Sequence, residues 1–389
     1  MKIVHVANFY GPNSGGIKTT LHNLGLGYQK HGHEFYYIVP GTQLRREETQ
    51  YGIKISLPSV ILPGSGAYRI IRSNRLLRKT IAELAPDRLE VSDRFTLRGL
   101  GPWARAQKIP TVVFSHETLR GLAARFLPTF LPQHALVNWH NRGLASRFDQ
   151  VIATTQFAAK EFEEIGTTNI TRVPLGVDLV NFSPELRSLE LRNELRKGNK
   201  LLIVHCGRLS PEKEPQRSLE ALIELRKRGV DARLVVIGTG PMWKKLREMA
   251  QGHPIDLLGY IANPKKVAAI LACADVALAP GPLETFCLSA LEALASGTPV
   301  VASMSSAVGE FLNIDAPIPA GAVASDNAES FADAIMTLTA IDRARIEARN
   351  AALALPWEAS VRKMLELHNI PTVGENAPMV ATKRKLSAA

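Results

Sequence analysis

The feature that most constrains this chain is an alternation of short apolar strands and amphipathic helices that stops and then begins again. KIVHVA reads as a buried strand, Gly16 to His31 as a helix closed by Gly32, and EFYYIVP, TVVFSH and QVIATT as further strands. After VPLGVDLVNFSP the pattern restarts with LLIVHCGRLS, a helix over about Gln216 to Arg228, ARLVVIG and a helix from Met242. DLLGYI, a helix over Pro264 to Cys273, VALAP, a further helix and VVAS complete the second run. Two runs of βαβ units predict an α/β protein of two doubly wound, Rossmann-like domains. A chain of 389 residues is also too long for one ordinary core. The expected boundaries are 1–180 and 181–355, joined near Val177 to Pro184. A helix over 356–370 is expected to cross back to the first domain, and the tail 371–389, which lacks periodicity, is expected to be disordered. Sheets of this kind bind ligands beyond the carboxyl ends of their strands, so two facing domains imply a cleft between them.

The composition, 46% hydrophobic and 21% charged, is that of a soluble globular protein. No stretch approaches the ~18 apolar residues of a membrane span, and the opening apolar run is too short for a signal peptide, so a cytoplasmic protein is expected. Cys206, Cys273 and Cys287 are odd in number and widely spaced, which points to packing rather than a disulfide frame or a metal cluster. Charge is concentrated in the first half. Residues 1–180 carry 22 Lys and Arg against 13 Asp and Glu, whereas residues 181–355 carry 20 of each. Two stretches, Thr49 to Ala82 and Thr118 to Phe148, contain no acid. The first carries Lys54, Arg69, Arg72, Arg75, Arg78 and Lys79; the second sets Arg120, Arg125, Arg142 and Arg147 among Phe126, Phe130, Trp139 and Phe148. Arginines mixed with apolar bulk suit an anionic membrane surface, nucleic acid or a solvated face, and two such runs in one domain favour a surface partner.

The stretch GPLETFCLSALEALASGTPVV, residues 281–301, holds the densest chemistry. Pro280-Gly281-Pro282 forbids helix, which leaves Glu284 in the entering loop and the amides of Phe286, Cys287 and Leu288 in the expected first turn. A helix start attracts anions, so a phosphate site with the carboxylates of Glu284 and Glu292 on either side would suit a sugar nucleotide. The plain alternative is a surface helix with two solvated glutamates. GRLSPEKE adds Arg208 and Lys213, two cations able to hold a diphosphate, and TVVFSHET places His116 at a strand end. The double glycine Gly15-Gly16 would let a ligand approach backbone at a helix start. VVIGTGPMWKKL, with Gly238, resembles half of a dinucleotide fingerprint, but Trp243 stands where the third glycine belongs, which weakens a nicotinamide oxidoreductase. No Asp-x-Asp pair occurs, so no metal or other cofactor is expected, and Arg208, Lys213 and the helix start would balance leaving-group charge.

Together these elements resemble the retaining glycosyltransferases of family 4, with the GT-B fold, over roughly residues 1–370. The Glu284–Glu292 stretch with ALASGTPVVAS carries most of the likeness, supported by GRLSPEK, VIGTGP, the double-glycine loop and VPLGVDLVNFSP. NFYGPNSGGIKTTL, LEVSDRFTLRGLG, SHETL and VHCGRLSPEK look more narrowly like the actinobacterial α-mannosyltransferases of phosphatidylinositol mannoside synthesis. The resemblance implies a GDP-mannose donor, a lipid acceptor and front-face transfer in which the leaving phosphate helps deprotonate the acceptor hydroxyl. It assigns sugar hydroxyls to Glu284, and sugar and phosphate to the amides of Phe286, Cys287 and Leu288. It assigns the ribose diol to Glu292, the diphosphate to Arg208, Lys213 and the Gly16 backbone, and the surroundings of the base to Tyr260 and Ile261. His116 would contact the transferred sugar, and Arg69 an acceptor phosphate. Cys287 and Glu214 stand where the family commonly has glycine. The readings kept beside this one are a UDP-sugar transferase acting on a soluble acceptor and a non-catalytic module that binds nucleotide sugar or membrane.

Overall fold

The computed structural model describes residues 1–11, 15–61, 68–126, 128 and 130–369. The expected disordered tail, 371–389, therefore lies outside the described residues.

Valine, isoleucine and aromatic runs build the first sheet. Its strands are β1 (Lys2–Ala7), β2 (Glu34–Gly41), β3 (Arg45–Thr49), β4 (Gly52–Ile61), β5 (Arg69–Ile71), β6 (Arg88–Ser92), β7 (Thr111–Ser115), β8 (Gln150–Ala153) and β9 (Ile170–Arg172). They lie in the order β3-β4-β2-β1-β6-β7-β8-β9, with β5 against β4. Only β3 and β5 run antiparallel to their neighbour, both on β4. The second sheet comprises β10 (Leu201–Cys206), β11 (Ala232–Ile237), β12 (Ile255–Gly259), β13 (Val276–Ala279), β14 (Val300–Ser303) and β15 (Gly321–Ala324). It is wholly parallel, in the order β12-β11-β10-β13-β14-β15.

The order reverses beside β1 in the first sheet and between β10 and β13 in the second. Crevices open at such switch points because successive helices leave toward opposite faces. The double-glycine loop follows β1, GRLSPEK follows β10 and PGPLETF follows β13, so the topology itself brings these three segments to the crevices.

Two features of the first domain are added by the structure. Periodicity showed neither β4, which contains Pro58, nor β6, whose alternate residues Glu90 and Ser92 are polar and yet buried. Arg69 does not share an element with Arg75, Arg78 and Lys79. It lies on β5, and the helix Asn74–Leu84 begins after Ser73, whose hydroxyl accepts the Leu76 N–H at 3.2 Å.

The domains are laced together. Val177 donates its N–H to the Leu355 carbonyl at 3.0 Å, and the helix Trp357–Leu367 then enters the first domain's core. Its Val361, Met364 and Leu365 are buried beside Leu21, Leu24 and Tyr28, each burial contributing roughly 1.5–3 kcal/mol. Gly27 makes this approach possible, since a Cβ there would sit 2.2 Å from Val361 Cγ2.

Candidate active site

One wall of the cleft is the loop after β13. Buried Arg217 fixes its entry, donating to the Pro280 carbonyl at 2.6 Å while pairing with Asp326 at 2.9 Å. Glu284 leaves this loop to meet the Lys213 ammonium at 2.7 Å. Burial alone would lower the pKa of Lys213, but the Glu284 carboxylate outweighs it and holds the ammonium above its ordinary range. The sequence reading gave these two residues separate tasks, one on phosphate and one on sugar. The structure joins them, so an anion approaching Lys213 also meets Glu284.

The helix after this loop runs from Leu288 to Ala295, two residues later than expected. Cys287 caps it with φ of 66°, in the left-handed region where glycine is at ease. Phe286 is buried against Phe311, with ring centroids 5.4 Å apart, and so anchors the loop from behind. Among the described residues, nothing accepts the N–H groups of Phe286, Cys287 and Leu288. They remain the anion-attracting start that the sequence suggested. Burial pushes the Cys287 thiol up to about 12, which makes it inert at neutral pH. Glu292, in the second helical turn, is raised to about 8 by burial and then by the charge of Asp178. Hydroxyl donors, such as those of a ribose, would offset that desolvation.

Arg208 leaves β10 and lays its guanidinium over the Tyr68 ring, 4.4 Å from the centroid, so it spans the cleft. Glu214, after the 3-10 turn that holds Lys213, accepts the strained φ of 43° and pairs with Arg217. Gly238 has a different reason than ligand approach. Its φ is 136°, and a Cβ would fall 1.8 Å from the Gly207 carbonyl, so glycine is required by backbone packing under the Arg208 loop. Tyr260 is half exposed just beyond β12, with Ile261 packed against the second-domain core.

The opposing wall belongs to the first domain. At Gly15 and Gly16 a Cβ would meet no described atom, so the space at the start of the helix Gly16–Lys30 is open. The preceding residues 12–14 lie outside the described set. His116 follows β7, its ring stacked on Phe114 at 5.7 Å and its Nε2 bonded to Ser92 Oγ at 2.9 Å. Burial lowers its pKa to about 3, with a further contribution from His5, so it is neutral. Thr285 donates to the His116 carbonyl, while Thr154 and Thr155 donate to the Thr285 carbonyl at 3.1 and 2.8 Å. These bonds seat the Glu284 loop directly against the His116 loop. Arg69 is half-buried, with Nη1 donating to Ser59 Oγ at 3.3 Å, and follows Tyr68, whose ring Arg208 covers.

Comparison with known proteins identifies the framework. Residues 14–181 match the model described as Glycosyltransferase Family 4, and residues 200–340 match that of glycosyl transferases group 1. The chain is 44% identical, over 94% of its length and 95% of the relative's, to the GDP-mannose-dependent alpha-(1-6)-phosphatidylinositol dimannoside mannosyltransferase of Mycobacterium tuberculosis. This chain is a family 4 glycosyltransferase. The transferase is also 30% identical to the alpha-monoglucosyldiacylglycerol synthase of Streptococcus pneumoniae, over 78% of its own length and 71% of the relative's. Its fold is GT-B. Sucrose-phosphate synthase of Thermosynechococcus elongatus superposes with a TM-score of 0.75 at 18% identity, covering 95% of this chain and 98% of that one. Anabaena HepE in complex with UDP gives 0.72 at 16% identity, covering 95% and 100%.

The loops of the transferase are also held by residues with no motif around them. Arg94, 1% exposed, pairs with Glu161 at 3.0 Å and donates to Ser115 Oγ and the Glu117 carbonyl, which fixes the His116 loop. Glu310 accepts the N–H groups of Gln156 and Phe157, at 2.8 and 2.6 Å, and so caps a helix of the other domain. Neither has a local pattern to betray it. His5 does, as a polar residue inside the apolar run of β1, whereas Glu90 and Ser92 alternate with Leu89 and Val91 in a strand that periodicity did not show.

Proposed function

We propose that this glycosyltransferase is a retaining α-mannosyltransferase that moves mannose from GDP-mannose to a phosphatidylinositol mannoside or a related glycolipid. The observation that carries the reading is the end-to-end likeness to a relative named for that donor and for phosphatidylinositol dimannoside. A further relative in Mycolicibacterium smegmatis is likewise named a GDP-mannose-dependent alpha-mannosyltransferase, at 27% identity over 92% of this chain and 94% of its own.

In this reading the diphosphate lies between Arg208, Lys213 and the free amides of Phe286 to Leu288, and the Gly16 backbone approaches it from the other wall. Glu284 takes sugar hydroxyls, Glu292 the ribose diol, and Tyr260 and Ile261 flank the base. Cationic and amide donors at the diphosphate stabilise charge as the glycosidic bond breaks. A phosphate oxygen on the same face can then receive the acceptor's proton. No step in this scheme requires a divalent ion.

Among the described residues no helix is long and apolar enough to cross a membrane. A lipid acceptor therefore calls for docking, at the cytoplasmic face of the plasma membrane in this proposal. Leu136, Trp139 and Arg142 follow at three-residue spacing on the helix Gln133–Ala145, all exposed, with Phe130 exposed just before it. Arg69 is the candidate for an acceptor phosphate.

Purified protein incubated separately with GDP-mannose and UDP-sugars, each with a phosphatidylinositol mannoside extract, tests the donor and acceptor together. GDP release with a mannosylated lipid product is expected, at a rate unchanged by EDTA. UDP release instead, or a soluble product, would assign the site to another donor or acceptor. Loss of rate in EDTA, restored by magnesium or manganese, would show that Arg208 and Lys213 do not suffice.

A further inference from the structure

Behind His116 runs a buried chain of hydrogen bonds that leads away from the cleft. His116 Nε2 meets Ser92 Oγ at 2.9 Å, Ser92 Oγ meets His5 Nε2 at 2.7 Å, and His5 Nδ1 meets Glu90 Oε2 at 2.7 Å. The other carboxylate oxygen of Glu90 accepts the Tyr28 hydroxyl at 2.6 Å and bonds to His368 Nε2 at 2.7 Å. Ser92, His5, Glu90, Tyr28 and His368 are all at most 3% exposed. Strand geometry makes the line. Glu90 and Ser92 are two apart on β6 and so share a face, and His5 lies opposite Glu90 on β1. The rings of His5 and Phe114 stack at 5.3 Å, and Phe114 stacks in turn on His116, so three rings hold the row rigid.

Proton accounting along the line has a direction. An ionised carboxylate only accepts, so His5 Nδ1 carries its hydrogen toward Glu90. A neutral imidazole that donates at one nitrogen accepts at the other. His5 Nε2 then accepts from the Ser92 hydroxyl, and Ser92 Oγ can only accept from His116. His116 Nδ1 has no hydrogen-bond partner among the described residues and is not sealed from the cleft.

We propose that Glu90, His5 and Ser92 are positioning residues that keep the His116 proton on Nε2, leaving Nδ1 to accept a hydroxyl of the transferred sugar. The inference rests on the reading of His116 as a donor-sugar contact. It adds that His116 recognises the sugar as an acceptor, through a tautomer set 24 residues and more away in sequence. The chain from His116 ends at the last helix, so the segment that returns from the second domain helps to set the histidine's proton.

Long-range proton–nitrogen NMR of the full chain distinguishes the two histidine tautomers, with the His116 signals identified by their loss in His116→Gln. The Nε2–H form is expected in the wild type. An Nδ1–H form would overturn the proposal, and this holds whether or not any relay variant folds. Ser92→Ala should lower turnover on GDP-mannose about tenfold and leave His116 in mixed tautomers. In a His116→Ala background the same change should cost less than twofold, because the relay acts only through the imidazole. Ser92→Thr, which keeps the hydroxyl, should restore both the tautomer and the rate. Additive losses in the double variant would reduce Ser92 to a packing role and overturn the proposal. Full turnover by His116→Ala would remove His116 from the sugar, a failure separable from the tautomer result.

Discussion

At the scale of single residues, the site is organised by charges that depend on one another. Lys213 and Glu284 are 2.7 Å apart, so neither can be removed without changing the other's environment. Lys213→Ala and Glu284→Ala should each lower turnover at least about a hundredfold, roughly 3 kcal/mol of transition-state stabilisation. The double variant should lose less than the product of the two, since partners in contact do not contribute independently. Steady-state rates on variants with wild-type circular dichroism check both statements. Glu292 gives a pH signature. Its folded pKa is raised to about 8, so the native state retains a proton that the unfolded chain has released above its ordinary 4.5. Stability attributable to this residue therefore falls as pH rises between those values. Glu292→Gln has no such proton to lose. Its Tm should exceed that of the wild type by a margin that widens from pH 5 to pH 8, about 2–4 °C for each kcal/mol gained in a domain of this size. Equal margins at both pH values would place the raised group elsewhere. The same variant should bind GDP more weakly.

At the scale of elements, the helix Leu288–Ala295 shows how a local rule is bent at the site. Cys287 occupies a left-handed conformation that disfavours any side chain, and a β-branched one most of all. Cys287→Gly should melt within a few degrees of the wild type and keep nucleotide affinity, because the relief of strain and the extra freedom of unfolded glycine nearly cancel. Cys287→Val should lose about 1–3 kcal/mol and weaken GDP binding, because the amides of this turn would be displaced. Thermal melts and calorimetric GDP titration decide, and an unaffected valine variant would mean that the turn does not hold the phosphate. Strand β6 makes the complementary point. Its Glu90 is a fully buried carboxylate held at about 2: burial would raise it, but hydrogen bonds from His368 and His5 prevail. The stability it supplies is present above pH 4.5 and fades as pH falls toward 2. Glu90→Ala should cost about 3 kcal/mol at neutral pH, since three donors lose their shared acceptor.

At the scale of the whole molecule, basic charge lies on the first domain, where the exposed Phe130 and Trp139 also lie, while the second is electrically balanced. The structure sharpens which arginines can meet a surface. Arg78 is half-buried and donates to the Gly99 carbonyl at 3.3 Å, whereas Arg72 and Arg75 are exposed. A basic residue near an anionic surface contributes about 1 kcal/mol, screened over roughly 8 Å at physiological salt. Liposome sedimentation should show binding that requires anionic lipid and falls steeply with added salt. Arg72→Ser with Arg75→Ser should weaken it about tenfold or more, and Trp139→Ser should weaken it further at any salt. Equal binding to neutral and anionic vesicles would leave a transferase with a merely basic surface.

Much of this was legible from sequence because it depends on short-range physics. Strand and helix periodicity foretold two doubly wound domains. Proline and glycine around Glu284 foretold a loop running into a helix start, and the motifs carried the family. The arrangement of the cleft was not legible in the same way. The ion pair of Lys213 with Glu284 joins residues 71 apart, and Arg208 reaches Tyr68 across the domain boundary. The reason for Gly238 is a carbonyl 31 residues earlier. Glu90 is the clearest case. In sequence it is one acid between Leu89 and Val91, and its partners come from a neighbouring strand, the first helix and the last. Local propensity falls off within a few residues, whereas burial and hydrogen-bond partnership are set by whatever the closed chain brings near. The family and the fold were therefore determined by the sequence alone, and only the tertiary structure decided which charges pair and which protons are held.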